Sequence, residues 1–135
     1  MAYQLVFDVL HYYDAGESGI TVPVRLVLGD SFFHLDAKID TGSTYCIFQR
    51  VVGEALGIDI ESGYRQVMSS VNGSLVVYGH DVTLSVLNFD FDATVFFAED
   101  ESFKRDILGR YGFLSRVQIG VRDYQGELYL SRNDT

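Results

Sequence analysis

An alternating run, Phe33, Leu35, Ala37 and Ile39, leads directly into Asp40-Thr41-Gly42-Ser43, and a second apolar run from Tyr45 to Phe48 leaves it. Period-two alternation reads as a half-buried strand, so the chain must turn sharply between two strands at an acid. Gly42 lets the backbone pass close to a neighbour without a Cβ in the way. Thr41, Ser43 and Thr44 supply short hydroxyls that can hold a carboxylate in one orientation. Such a turn, rigid, polar and carrying an acid between apolar strands, is either an ordinary β-turn or a site.

The rest of the sequence is built from similar short pieces. Tyr3 to Leu10 reads as a strand. Ile20, Val22, Val24, Leu26 and Leu28 alternate with polar neighbours, and Pro23 confines that strand to an edge or a bulge. After Phe48 the period changes: Val51, Val52, Ala55 and Leu56 fall at helical spacing, with Gly57 as the stop. Residues 58–63 read as a connector. From Tyr64 to Tyr78 two extended arms flank Asn72-Gly73, the strongest short-range hairpin signal because both turn positions favour positive φ. Its tip is polar (Ser69, Ser70, Ser74), as a mobile flap would be. Val82 to Val86 and Phe89 to Phe97 alternate as two more strands about Leu87-Asn88, and residues 98–104 form an acidic loop. Ile107-Leu108-Gly109-Arg110 follows, with a short helix expected over Tyr111-Gly112-Phe113-Leu114. Val117 to Val121 and Glu127 to Leu130 return about a turn at Asp123–Gly126. The expected architecture is all-β and barrel-like, about ten short strands with one or two short helices.

Residues 1–135 fit one domain by length, and a 47% hydrophobic content suffices for a core. The net charge of −9 argues against nucleic acid, whose phosphates need a basic surface, and against anionic membranes. No apolar run reaches the ~20 residues of a transmembrane helix. The first residues, Met-Ala-Tyr-Gln-Leu-Val-Phe-Asp, lack a basic region and a long apolar core, so no signal peptide is read there. With Cys46 as the single cysteine, a reducing cytoplasmic setting is the simplest expectation. The sequons at Asn72 and Asn133 are accordingly read as unused.

Apolar-Asp40-Thr41-Gly42-Ser43, followed about seventy residues later by Ile107-Leu108-Gly109-Arg110, resembles the paired signature of aspartic proteases, in the single-lobed, retropepsin-like form. The short helix ending Leu56-Gly57-Ile58 and the glycine-tipped hairpin resemble the same family, and the likeness spans roughly residues 20–131. It implies a closed-barrel acid-protease fold with a flap. It implies Asp40 as the catalytic acid, supported by Thr41, Gly42 and Ser43, with Gly42 and Ser43 holding the carboxylate and Thr41 bonding across a dyad. It implies Ser70, Val71, Asn72, Gly73 and Ser74 as a substrate-covering flap, and Ile107, Leu108, Gly109 and Arg110 as packing and dimer support. The chain holds one Asp-Thr-Gly and the chemistry needs two carboxylates, so the resemblance implies a homodimer acting on a peptide or protein substrate, without metal or cofactor. One departure stands out: the family usually carries Asp or Asn after Gly-Arg, and this chain has Tyr111.

Competing sites are weaker. Cys46 could be a nucleophile beside His34 or His80, but a lone cysteine in an apolar strand reads as core. His11, His34 and His80 lack metal-ligand spacing. Asp90 and Asp92 alternate with Phe89 and Phe91 as a solvated strand face rather than a calcium loop. Two functions stay open: a dimeric aspartic endopeptidase, and a non-catalytic dimeric peptide-binding module on the same fold.

Overall fold

The computed structural model describes residues 1–71 and 73–133. Two antiparallel-rich sheets share one core. The strands are β1 (Val9–Tyr12), β2 (Thr21–Leu28), β3 (Ser31–Ile39), β4 (Ile47–Phe48), β5 (Tyr64–Ser70), β6 (Gly73–Val86), β7 (Phe89–Ala98), β8 (Ile107–Leu108), β9 (Val117–Arg122) and β10 (Glu127–Arg132), with one α-helix, α1 (Arg50–Ala55). The larger sheet runs β2-β3-β8-β4-β7-β6-β5, and β2 also pairs with β6. That extra pairing closes β2-β3-β8-β4-β7-β6 into a ring, the barrel expected from the sequence. One edge of β6 is shared: residues 73–79 pair β5 and residues 83–86 pair β2. The β5–β6 hairpin is therefore an outgrowth of the barrel rather than part of its wall.

Local sequence explains most elements. On β2, Val22, Val24 and Leu26 are buried while Pro23 and Arg25 face out. Pro23 pairs Asp36 of β3 but precedes the stretch Val24–Val27 that pairs β6, so its missing N–H costs no second ladder. The β6–β7 hairpin turns on Leu87 and Asn88, both left-handed (φ 48° and 72°), the geometry whose twist matches a two-residue connection. Helix α1 buries Val52 and Gly53, and a Cβ on Gly53 would stand 2.9 Å from the Phe97 ring.

The small sheet β1-β10-β9 caps the barrel. Leu128 and Leu130 of β10 join Phe91, Val95 and Phe113 in the same fully enclosed cluster, with the rings of Phe91 and Phe113 meeting edge-on at 6.2 Å. Arg116 and Arg132 both lie over Phe91, 5.2 and 4.6 Å from its centroid, and cover that seam.

Four expectations are corrected. The strand read from Tyr3 to Leu10 begins only at Val9: the β10 ladder registers Val9 to Tyr12, and above it the Asp8 N–H turns to the Ser131 hydroxyl and the Leu130 carbonyl. Upstream, Phe7 packs against Gly120 and Tyr129 while Tyr3, Leu5 and Val6 are exposed. The helix read over Tyr111–Leu114 is instead a turn followed by a 3-10 turn at Leu114–Arg116, because Gly112 adopts φ +95°. Residues 58–63 are more than a connector, holding a 3-10 turn at Ile60–Ser62. The hairpin arm and the strand at Val82–Val86 form one strand, β6, running straight through Gly79. Among the described residues no helix is long and apolar enough to cross a membrane.

Phe97 is fully buried at the meeting of α1, β4 and β6. Phe97→Ala should cost about 3–5 kcal/mol and lower the thermal midpoint by roughly ten degrees or more. Calorimetry of the two proteins checks this.

Candidate active site

Asp40 is the first residue beyond β3, and its position is set by the backbone of a distant segment. β3 pairs β8 in parallel, Lys38 with Ile107 and Ile39 with Leu108. The Lys38 and Asp40 N–H groups donate to the Asp106 and Leu108 carbonyls, each at 2.9 Å. Beyond β8 the direction of donation reverses: Arg110 N–H donates to Ser43 O at 2.9 Å and Tyr111 N–H to Thr44 O at 2.8 Å. Residues 106–111 are thus stitched to both sides of the acidic turn. The crossing is tight at Gly109, where a Cβ would run into the Tyr45 carbonyl oxygen and stand 2.7 Å from that of Ser43. Asp106 also anchors the segment from below, accepting from the Gln49 N–H at 3.1 Å and the Gln49 side-chain amide at 2.9 Å at the start of α1.

Within the turn, the half-buried Asp40 accepts the Gly42 N–H on Oδ1 at 2.9 Å. The Gly42 N–H thus faces the carboxylate from within the turn. The hydroxyl of Ser43 takes a different role: it donates to Tyr45 O at 2.7 Å, while the Ser43 N–H donates to the backbone carbonyl of Asp40 at 3.1 Å. The side chain leans toward the following strand and satisfies a carbonyl crowded by Gly109, so Ser43 braces the turn rather than the acid. Thr41 is exposed at its apex.

Asp40 opens onto a cleft of about 920 Å³. One wall is the turn itself, with Gly42, Ser43 and Thr44. The opposite wall is the β5–β6 hairpin, through Met68, Ser69, Val71, Ser74 and Leu75. The hairpin assigned from the sequence thus stands across the cleft from Asp40. Of its tip, Val71 and Ser74 line the cleft, Gly73 has φ +121°, and Asn72 lies outside the described residues. Ile107 contributes to the floor, whereas Leu108 and Gly109 are enclosed beneath the turn and Arg110 is exposed beyond it.

Several lining residues carry no motif and escaped the sequence reading: Tyr45, Ile47, Met68, Phe103 and Arg105. Ile47 and Phe96 form a small second core on which Tyr45, Met68 and Phe103 pack. The available signal was Phe103, a lone aromatic within an acidic loop, just upstream of the segment that crosses Asp40.

The alternative centre at Cys46 is closed. Its thiol is fully buried, and burial pushes its pKa up to about 12. His34 is exposed on β3, and His80 is bonded to Ile60 O at 2.9 Å. The departure at position 111 has a visible outcome. The Tyr111 ring lies 5.9 Å from that of Tyr45, and among the described residues Arg110 forms no ion pair within the chain.

No protein-family model matches the sequence, and no curated protein does. Solved structures do match in fold. A retropepsin-like aspartic protease from Rickettsia conorii superposes with a TM-score of 0.65 at 12% identity, over 91% of this chain and 97% of that one. EIAV protease, complexed with the inhibitor HBY-793, superposes with a TM-score of 0.54 at 20% identity, over 70% and 84%. The fold is therefore that of the retropepsin-like aspartic proteases.

Gly109→Ala should test the crossing. The clash is with backbone, which cannot swing aside, so the variant should lose on the order of 3 kcal/mol or fail to fold. Urea denaturation reads this directly, and a midpoint equal to that of the parent would show that the two segments are not in van der Waals contact.

Proposed function

We propose that this chain is one subunit of a homodimeric aspartic endopeptidase. The observation that carries the reading is the Asp40 carboxylate, held by Gly42 on a turn braced by β8 and facing a hairpin across an open cleft. One carboxylate cannot both activate water and protonate the scissile carbonyl. A second Asp40, brought in by a two-fold axis, supplies the missing group. Close carboxylates cannot both ionise cheaply, so they share one proton; this is the familiar property of aspartic proteases and is carried over here. The ionised Asp40 takes a proton from water as its oxygen attacks the carbonyl carbon. The protonated Asp40 donates to the carbonyl oxygen. Collapse of the tetrahedral diol breaks the C–N bond, and a proton returns to the leaving amine.

The surface around Asp40 supports such an axis. Thr41 and Gly42 are exposed at the turn, and Tyr111 is 58% exposed beside it. In the dimer Thr41 would bond the partner's turn and lock the two loops together. The substrate would lie extended, its backbone pairing with the hairpin and the site strands. The polar hairpin tip would close over it and exclude water. In this scheme the two carboxylates supply both the base and the acid, so the step itself calls for no metal or cofactor.

Asp40→Asn keeps the shape of the side chain and removes the acid. Cleavage of a mixed peptide library should fall to background while sedimentation still shows a dimer. Unchanged cleavage would remove Asp40 from the chemistry. Peptide binding without cleavage in either protein would favour a non-catalytic module.

Gly73→Val addresses the hairpin. Among the described residues no atom beyond its chain neighbours lies within 4 Å of a Cβ there, so the cost is conformational, about 1–3 kcal/mol for a β-branched residue at positive φ. The variant should stay folded and dimeric with much reduced turnover. Normal turnover would make the hairpin an ordinary surface turn.

A further inference from the structure

Three charged side chains line the cleft: Asp40, Asp100 and Arg105. The two other than Asp40 differ in what already satisfies them. Asp100 accepts the Ser102 N–H at 2.8 Å, and that bond holds its carboxyl below the usual range. Arg105 is exposed and forms no ion pair among the described residues. Its chain neighbour Asp106 is engaged elsewhere, with both oxygens of that carboxylate accepting from Gln49. A guanidinium therefore faces a substrate cleft with its donors unspent, in a chain whose net charge is −9.

Its distance from the reacting acid follows from the strand register. Asp40 N–H is bonded to Leu108 O, and Arg105 lies three residues upstream, just before β8. At ~3.3 Å per residue that is at most about 10 Å along the chain, the span of three residues of an extended substrate. An arginine side chain reaching back from there meets a substrate side chain within about two residues of the bond over Asp40. Apolar side chains, Ile47, Met68, Phe103 and Ile107, share the cleft lining with Ser102 and Asp100. A planar guanidinium at the rim of an apolar wall matches a carboxylate bidentately, and the lowered local dielectric strengthens the pair.

We infer that Arg105 is a specificity-determining residue, selecting peptides that carry Asp or Glu within two residues of the central bond. The inference rests on the cleft being the peptide site of the proposed function, but it does not require cleavage. In a symmetric dimer each half of the cleft carries one such arginine, so acidic residues are favoured on both sides of that bond.

The test uses three extended peptides, identical except for Glu, Gln or Lys at the positions flanking the central bond. Binding to the full-length Asp40→Asn chain is read by fluorescence anisotropy, and cleavage by the parent protein is read separately. The Glu peptide should bind about fivefold more tightly than the Gln peptide at low salt, the upper range for a partly exposed ion pair. That margin should shrink at high salt. Arg105→Gln in the same background should collapse the ratio to about one, and Arg105→Glu should turn the preference toward Lys. Both substitutions are at an exposed side chain, and circular dichroism confirms that each variant is folded. Equal binding of Glu and Gln peptides, a preference of the parent cleft for Lys, or no binding of any peptide overturns the inference. The two readings separate: acid-selective binding without cleavage sinks the endopeptidase and keeps Arg105, whereas unselective cleavage does the reverse.

Discussion

The backbone hydrogen bonds between residues 38–45 and 106–111 are the constraint on which the remainder of the molecule depends. β8 is only two residues long, yet it pairs β3 on one side and β4 on the other. Without it the ring of strands is open between those two, and the turn bearing Asp40 has nothing beneath it. The contact is made by main-chain atoms at van der Waals limits, and this explains the demand for glycine at position 109. Burial reinforces it: Leu108 is fully enclosed and Ile107 nearly so, so the apolar side chains fix the depth at which the carbonyls are presented.

This arrangement divides labour between rigid and adaptable parts. The acid is fixed by the Gly42 N–H on its carboxylate and by backbone hydrogen bonds on both sides of its turn. The wall opposite is a two-stranded hairpin attached to the barrel along only part of its length. Its residues beyond the small core of Ile47, Val77 and Phe96 have few buried contacts, the physical signature of a low-stability element. Hold and access are thus assigned to different segments of the chain.

Much of this was legible in the amino-acid order. The β2 and β3 strands announced themselves by alternation, α1 by its change of period, and the acidic turn by Asp40-Thr41-Gly42. The pairing of that turn with Ile107-Leu108-Gly109 rested on resemblance, since nothing local in seventy residues ties the two together. What was missed was decided by tertiary context. Tyr3 to Phe7 has the composition of a strand but lacks a facing ladder. Gly112 was read as a passenger in a helix when its left-handed φ ends the extended chain. The hydroxyl of Ser43 was assigned to the nearest acid, when a carbonyl crowded from across the fold had the stronger claim. Met68 of β5 and Phe103 and Arg105 of the loop before β8 converge on the cleft, and no spacing in sequence encodes that convergence.

The late position of β8 in the chain also has a consequence in time. A polypeptide emerging from the ribosome presents Asp40 and its glycine early, but the carbonyls of Asp106 and Leu108 that receive the turn arrive some seventy residues afterwards. Until then the barrel has a gap, and the acid sits on an unsupported loop. Non-local closure of this sort is slow because loop entropy must be overcome before the contacts repay it. Nascent chains that stop short of residue 111 therefore cannot assemble the turn. The order of the strands thus sets when the turn bearing Asp40 acquires its support.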